Sequence, residues 1–272
     1  MRASPGKVLM CPPTSYSIRY EINPWMSVKN QADRPLAVRQ WKNLKGALER
    51  RKVRVELIRP SPRQPDMVFT ANAGFINGRV FIPSNFRYPQ RQGERELFIN
   101  YFKRKKYRVV ALEPSLRFEG EGDMLSFRDV LIGGWHYRSD IQSHEAVSGF
   151  LNRRVVSLEL ANPHFYHLDT CFAPLDDRHA LYFPGAFDPR GEKLIREFVP
   201  SPIPVTSPEA FAMCCNAFTV GRVVFMHRAT ARLQRILSQA RFEVEEVSTS
   251  EFIKAGGSVK CMVLKIPGTR EG

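Results

Sequence analysis

Residues Phe165–Pro174 read FYHLDTCFAP, and their aromatic and β-branched side chains favour a β-strand. In a strand, His167 and Asp169 share one face because they lie two residues apart. A carboxylate beside an imidazole fixes the orientation of the ring and favours its protonated form. The pair therefore indicates either the wall of a polar pocket or a core histidine satisfied by its neighbouring aspartate.

This stretch opens one copy of a repeated order of elements. The sequence predicts strands at Tyr166–Phe172 and Ala180–Phe183, a helix at Gly191–Val199 and a further strand at Val205. The order strand, strand, helix, strand recurs along the chain at intervals of roughly fifty residues. Such repeats favour a closed ring of α/β units. The alternative is an ordinary α/β sandwich.

Composition limits the class of protein. The chain has 272 residues, 43% of them hydrophobic, and no Pro/Gly/Ser-rich linker, which predicts a single domain over 1–272. No apolar run is long enough to cross a membrane, and the N-terminus lacks an apolar signal core. Five cysteines without a CxxC pair favour a reduced, cytoplasmic protein over a disulfide framework or a zinc site.

The formal net charge is +14, but the basic residues are spread along the chain. Their densest clusters, Arg50–Lys52 and Lys103–Lys106, fall at the ends of predicted helices, where the helix dipole favours cations. A solvated basic surface is therefore favoured over a nucleic-acid site, and the sequence contains no RNA- or DNA-binding signature.

Two stretches in the N-terminal part have clear local signals. Asp33–Arg51 is predicted as the first helix, with Asp33 as its N-cap. The stretch PDMVFTANAGF is predicted to form a strand at Met67–Thr70 that leads into a turn of small residues. Asp66 and Asn72 lie around that turn.

The C-terminal stretch Phe252–Leu264 reads FIKAGGSVKCMVL. Its glycine pair, Gly256 and Gly257, allows a tight turn or a close approach to a ligand. Cys261 follows at the start of a predicted apolar strand. A thiolate there would be a strong nucleophile if a cation lowered its pKa, whereas most lone cysteines are small buried apolar residues. Both interpretations stay open on this stretch alone.

Charged residues elsewhere also allow two interpretations. The turn FEGEGDML carries Glu119, Glu121 and Asp123, which suit either a solvated loop or a metal site. No other carboxylate-rich stretch would complete a metal site. Arg91 and Arg138 lie in polar contexts and suit either a substrate carboxylate or a surface ion pair.

Five stretches together resemble the guanidine-modifying superfamily of arginine deiminases, dimethylarginine hydrolases, amidinotransferases and arginine dihydrolases. The chain is particularly similar to the N-terminal arginine dihydrolase domain of bifunctional cyanobacterial arginine-degrading enzymes. This resemblance implies the pentein fold, a fivefold pseudosymmetric α/β propeller. In chain order the five stretches are MCPPTSYSIRYEINPWM, PDMVFTANAGF, FEGEGDML with GWHYRSD, FYHLDTCFAPL, and EFIKAGGSVKCMVL.

The resemblance also implies residue roles. Cys261 is the implied nucleophile and His167 the general acid/base, while Glu119 and Asp169 contact the substrate guanidinium. No metal or organic cofactor is required. Arg91 and Arg138 are the implied clamp on the substrate carboxylate. The remaining residues implied to line the site are Asn23, Asp66, Asn72 and Ala255.

One position separates members of the superfamily. Deiminases have an aspartate where this chain has Asn72, and the dihydrolases resemble this chain in having asparagine. We therefore expect a hydrolase that converts L-arginine to ornithine, ammonia and carbon dioxide. An amidinotransferase, a deiminase and a dimethylarginine hydrolase are alternatives within the superfamily. A catalytically silent pentein that binds RNA or ribosomes is the alternative from another class. The sequence does not determine the oligomeric state.

Overall fold

The computed structural model describes residues 6–267, in which the strands form five three-stranded sheets. In each sheet the middle strand pairs antiparallel with one neighbour and parallel with the other. The strands are β1 (Lys7–Met10), β2 (Arg54–Leu57), β3 (Gly74–Asn77), β4 (Val80–Pro83), β5 (Arg108–Val109), β6 (Met124–Phe127), β7 (Val130–Trp135), β8 (Val155–Glu159), β9 (Phe172–Pro174), β10 (His179–Tyr182), β11 (Ser201–Pro204), β12 (Phe218–Val220), β13 (Val223–Met226), β14 (Glu243–Glu246) and β15 (Leu264–Ile266).

The two ends of the described chain close the ring. β15 pairs antiparallel with β1, so that Leu264 lies opposite Leu9, while β1 pairs in parallel with β2. The last strand therefore completes the first sheet, as β3, β6, β9 and β12 complete the other four. This confirms the fivefold repeat predicted from the sequence, and an ordinary α/β sandwich does not have this topology.

A longer helix joins the two parallel strands of each unit. The first of them begins as predicted, because the Asp33 side chain accepts a hydrogen bond from the Leu36 N–H at 2.9 Å. None of the helices in residues 6–267 is long and apolar enough to cross a membrane. The helices are α1 (Arg34–Arg50), α2 (Pro89–Gln92), α3 (Glu94–Arg104), α4 (Ile141–Leu151), α5 (Pro189–Phe198), α6 (Ser207–Phe211), α7 (Ala231–Gln239) and α8 (Ser250–Ile253).

Two predicted strands are wrong, because short 3-10 turns occupy them. Turns at Pro65–Val68 and Thr70–Ala73 replace the predicted strand Met67–Thr70, and a turn at Leu168–Thr170 interrupts the predicted strand Tyr166–Phe172. The residues of these turns are buried. Short buried apolar runs look alike in sequence whether they are extended or helical, so periodicity did not separate the two.

Two strand boundaries also differ from the prediction. The last strand of the fourth unit is β11, which ends at Pro204 and does not include Val205. Cys261 was predicted at the start of a strand, but β15 begins only at Leu264. Cys261 lies instead in the turn that precedes this strand.

Polar turns precede the five strands that complete the sheets. Asn72 lies just before β3, Asp123 before β6, Asp169 before β9, Asn216 before β12 and Cys261 before β15. Hydrogen bonds join several of these turns to one another. Because the five units repeat around one axis, their equivalent turns meet at one end of the ring.

Candidate active site

Cys261 lies between two polar side chains from other units. Its Sγ lies 3.2 Å from Asp169 Oδ2, and Asn216 Nδ2 donates to the sulfur at 3.0 Å. Asn216 Oδ1 also accepts from the backbone N–H groups of Ser258 and Cys261, each at 3.1 Å. One asparagine thus holds both the C-terminal turn and the thiol that it carries.

Burial and charge both keep this thiol protonated. Burial raises the pKa of Cys261 well above its usual value, and the neighbouring Asp169 raises it further. Burial also raises the pKa of Asp169 to about 7, and its Oδ1 has no hydrogen-bond partner within residues 6–267. A cation paired with Asp169 would lower both pKa values, so this pair favours a cationic ligand.

His167 lies beside an ionised carboxylate. Its Nε2 is 2.8 Å from Glu119 Oε2, which also accepts from Arg138 Nη1 at 3.2 Å. Burial alone would raise the pKa of Glu119, but Arg138 and His167 outweigh that effect and lower it to about 2. Glu119 is therefore ionised at neutral pH and orients the imidazole.

The other imidazole nitrogen contacts Asn72. Arg91 Nη1 donates to Asn72 Oδ1 at 2.9 Å, which fixes the orientation of the amide. The Asn72 Nδ2 group therefore lies toward His167, 3.5 Å from Nδ1. Since an amide N–H₂ group only donates, His167 Nδ1 is the acceptor of this contact. An imidazole in this state can take up a proton at Nδ1.

Arg91 is buried in a network that also contains two carboxylates. Glu94 binds it through two bonds, Nε to Oε1 at 2.7 Å and Nη2 to Oε2 at 3.0 Å. Asp66 Oδ2 is 4.0 Å from Arg91 Nε and accepts from Tyr20 at 2.9 Å. Burial raises the pKa of Asp66 and raises that of Glu94 to about 7. Arg91 is thus largely committed to protein groups, and its role as a carboxylate clamp stays a prediction.

Arg138 connects Glu119 to the N-terminal loop. Its Nη2 donates to the Ile22 carbonyl oxygen at 2.9 Å. The guanidinium carbon lies 4.7 Å from the ring centroid of Tyr88 and 4.5 Å from that of Tyr166. Aromatic faces attract a cation in this geometry. The predicted role of Arg138 in holding a substrate carboxylate is not tested by these contacts.

Asn23 and Ala255 lie together at the edge of the site. Asn23 Nδ2 donates to the Ala255 carbonyl oxygen at 3.1 Å. Next to them, Tyr166 donates to the carbonyl oxygen of Gly256 at 2.9 Å. Gly256 has a φ of +82°, and a Cβ there would lie 2.6 Å from the Tyr166 hydroxyl. Both the left-handed backbone and the close tyrosine require glycine.

The three carboxylates of the FEGEGDML turn have separate partners. Glu121 Oε2 accepts from Lys260 Nζ at 2.8 Å, and Asp123 accepts from Ser139 at 2.6 Å and from the Leu168 N–H at 3.1 Å. Only Glu119 binds His167. Within residues 6–267 no group of three or more histidine, cysteine, aspartate or glutamate side chains is arranged to hold a metal ion. Glu119 therefore contacts the imidazole, while Glu121 binds the residue before Cys261 and Asp123 binds the backbone of the residue after His167.

Sequence reasoning missed Asn216 and Glu94. Neither residue lies in a motif, and a lone asparagine or glutamate has no local signal of function. The repeat is a signal that could have found Asn216, because Asn216 precedes β12 by two residues, just as Asn72 precedes β3 by two residues. Each residue predicted for the site takes part in at least one of the contacts described above, while their roles stay predictions.

Comparisons with known proteins give related enzymes along almost the whole chain. The family model for eukaryotic N,N-dimethylarginine dimethylhydrolases matches residues 17–267. The bifunctional arginine dihydrolase/ornithine cyclodeaminase ArgZ of Synechocystis is 39% identical over 265 residues, which are 96% of this chain and 37% of that enzyme. The N(G),N(G)-dimethylarginine dimethylaminohydrolase of Mycobacterium tuberculosis is 38% identical over 257 residues, which are 94% of this chain and 84% of that protein.

Solved structures agree with this relationship. The substrate-bound N-terminal domain of ArgZ, an arginine dihydrolase from Cyanobacteria, matches with a TM-score of 0.93 and 38% identity, covering 96% of this chain and 97% of that one. The five small sheets match the pentein fold of such structures. From these matches we conclude that the chain is a pentein and belongs to the N,N-dimethylarginine dimethylhydrolase family.

Proposed function

We propose that this chain is a cysteine hydrolase of guanidino compounds that converts L-arginine to ornithine, ammonia and carbon dioxide. The observation that carries the proposal is the contact of Asn72 with His167, which the Cys261–Asp169 pair accompanies. Support comes also from the similarity to ArgZ. Since the chain spans 37% of the length of that enzyme, only the arginine dihydrolase activity is carried over.

The substrate supplies a cation that can pair directly with Asp169, beside the thiol. A planar guanidinium binds carboxylates through paired, charge-assisted hydrogen bonds, and Asp169 has a buried oxygen without a partner in the described chain. The bound cation lowers the pKa of Cys261 and favours the thiolate. His167 takes the thiol proton at Nδ1, the nitrogen that faces the Asn72 amide group in the free protein.

The first half of the reaction exchanges one amine for water. The Cys261 sulfur bonds to the guanidinium carbon, His167 returns its proton to the departing nitrogen, and ammonia leaves as the C–N bond breaks. His167 then removes a proton from water, which adds to the S-linked carbon. Breaking of the C–S bond releases citrulline and regenerates the thiol.

The second half requires citrulline to stay bound. Its ureido group is neutral, and an aspartate at position 72 would repel its carbonyl oxygen. The amide of Asn72 can both donate and accept, and so it can hold this group. A second attack by Cys261 releases another ammonia, and water then cleaves the C–S bond to leave a carbamate on the ornithine nitrogen. Loss of carbon dioxide from that carbamate completes the reaction.

Dimethylarginine hydrolysis is the second candidate function. Both the matching family model and the mycobacterial relative carry that description. The same Cys261 and His167 chemistry would release dimethylamine in place of ammonia. The two functions differ in the group that must fit beside the carboxylates and in whether citrulline is retained.

Product analysis separates these functions. The purified protein is incubated with L-arginine and, separately, with asymmetric dimethylarginine, and citrulline, ornithine, ammonia and dimethylamine are quantified. The proposal expects ornithine and two ammonia molecules from each arginine. Citrulline as the final product of arginine would identify a deiminase, and dimethylamine release alone a dimethylargininase. Consumption of arginine only after addition of an amine acceptor such as glycine would identify an amidinotransferase.

A further inference from the structure

A cavity of about 290 Å³ is lined by residues from all five units of the ring. Residues of β3, β6, β9, β12 and β15 line it. The turns with Asn72, Asp169 and Cys261 precede these strands, and none of these three residues lines the cavity. Its wall consists mostly of residues within the strands or just after them, together with Glu121, Ala217 and Lys260 from the turns before β6, β12 and β15. The cavity is therefore separate from the candidate active site, but it reaches the turns that carry Glu119 and Cys261.

Cationic side chains dominate the wall of this cavity. Arg128, Arg153, Lys260 and Lys265 line it together with one carboxylate, that of Glu121. Glu121 is already engaged, since its Oε2 accepts from Lys260 Nζ at 2.8 Å and from the Lys265 N–H at 3.0 Å. The wall thus carries three more positive than negative side chains.

Three of these cations lack a carboxylate partner in the described part of the chain. Arg128, Arg153 and Lys265 form no ion pair within residues 6–267, whereas Lys260 pairs with Glu121. Arg153 donates to backbone oxygens, including that of Val130 at 3.0 Å. Like charges in one concave site repel one another, and a cavity with low-dielectric walls concentrates their field. An anion with more than one negative charge would relieve that repulsion.

The volume of the cavity points to a small ligand. It is close to the lower limit for a small-molecule site, and a polymer would not fit inside it. The bases of a nucleic acid cannot stack on the two aromatic side chains that line this cavity, because Phe172 and Phe218 are buried. We propose that this cavity binds a small, multiply charged oxyanion such as a phosphate-bearing metabolite, and that binding there affects the candidate active site through Lys260.

Lys260 connects the cavity to the candidate active site. It directly precedes Cys261 in the chain, and its charge lowers the pKa of Asp169, which is raised overall by burial. An oxyanion beside Lys260 would offset that charge, make Asp169 harder to ionise, and weaken its hold on a guanidinium. Occupancy should therefore raise KM for arginine. This transmission rests on the proposed function, whereas the binding site does not.

Calorimetric titration with inorganic pyrophosphate tests the site without any substrate. Ionic strength is held constant, because the basic surface attracts phosphate non-specifically. We expect one pyrophosphate per chain, and binding at least about tenfold weaker in Lys265→Glu, which reverses the charge of an exposed wall residue. The matched control is Arg235→Glu on α7, which reverses an exposed charge outside the cavity and should bind like the wild type.

Several results would overturn the proposal. Absence of one-to-one binding, or equal weakening in Lys265→Glu and Arg235→Glu, would show that no specific site exists. Lys265→Ala, with folding checked by circular dichroism, should give a smaller loss in the same direction, and normal binding in it would also count against the site. Saturating pyrophosphate should raise KM for arginine about fivefold or more in the wild type, as expected for coupled sites. An unchanged KM despite binding would overturn the transmission, and failure to turn over arginine at all would affect only the proposed function.

Discussion

Burial alone does not single out the nucleophile, because all five cysteines are buried. Their partners differ, however. Cys171 and Cys214 lie in an apolar cluster, where their sulfurs donate to backbone carbonyl oxygens. The Cys261 sulfur instead contacts the Asp169 carboxylate and the Asn216 amide. The neighbours of a thiol, which the sequence does not reveal, distinguish a reactive group from a core residue.

Cys261→Ala should therefore abolish release of ammonia from arginine, because within residues 6–267 no other thiol is hydrogen-bonded to the Asp169 carboxylate. Circular dichroism should show a folded protein, since the change removes one sulfur atom. Cys214→Ala is the matched control and should keep most of the activity. Activity of the wild-type level in Cys261→Ala would contradict the mechanism.

The pKa of Asp169 predicts how activity depends on pH. Burial raises this pKa to about 7, so that the carboxyl gains a proton as the pH falls and no longer pairs with a guanidinium. The value of kcat/KM reports the ionisation of the free enzyme. It should decrease as the pH falls below about 7, and the decrease should approach tenfold for each pH unit. The measurement is arginine turnover at low substrate concentration across this range. A flat profile between pH of about 5.5 and 8 would mean that Asp169 is ionised throughout.

At the scale of elements, the sequence predicted the repeat but not the turns. The hydrophobic strands, the helices between them and the cap at Asp33 were recognisable because each has a local pattern. The turns at Pro65–Val68 and Leu168–Thr170 fall on stretches that were predicted as strands, since their residues are buried in either conformation. The site lies in these turns, and its motifs were recognised by resemblance while its geometry was not.

Gly256 allows a direct test of one such turn. Gly256→Ala should destabilise the protein through its positive φ and also through contact with the Tyr166 hydroxyl, which a Cβ would approach to 2.6 Å. Gly78 is the matched control, because its φ is +57° but a Cβ there meets nothing within 4 Å. We expect Gly78→Ala to cost about 1–2 kcal/mol of unfolding free energy, with activity unchanged.

Gly256→Ala should cost more than the control in urea denaturation and should also reduce kcat/KM, because the turn carries the residues before Cys261. Equal losses of stability in the two variants, with full activity in both, would show that the Tyr166 contact is not needed for the site.

At the scale of the whole molecule, the pairing of β1 with β15 joins the two ends of the described chain. Each of the five units then packs between two others, and the residues proposed for catalysis come from several units. The proposed reaction of arginine makes no use of the positive charge on the surface. The cavity described above uses part of it, and the alternative of a silent RNA-binding pentein does not explain the network around Cys261.

Closure of the ring predicts a single cooperative unfolding transition, which would also support the predicted single domain over 1–272. Tryptophan fluorescence reports Trp25 and Trp41 in the first unit and Trp135 in the third. Far-ultraviolet circular dichroism reports the whole backbone. The two urea curves should coincide. Separate midpoints would show that the units unfold independently.

The fate of the guanidino carbon tests the central claim most directly. L-Arginine labelled with carbon-13 at that position is incubated with the wild type and with Asn72→Asp, and the products are followed by NMR. For the wild type we expect the label in carbon dioxide and bicarbonate, with unlabelled ornithine, while Asn72→Asp should stop at labelled citrulline. Labelled citrulline as the final product of the wild type would contradict the dihydrolase mechanism and the role given to Asn72.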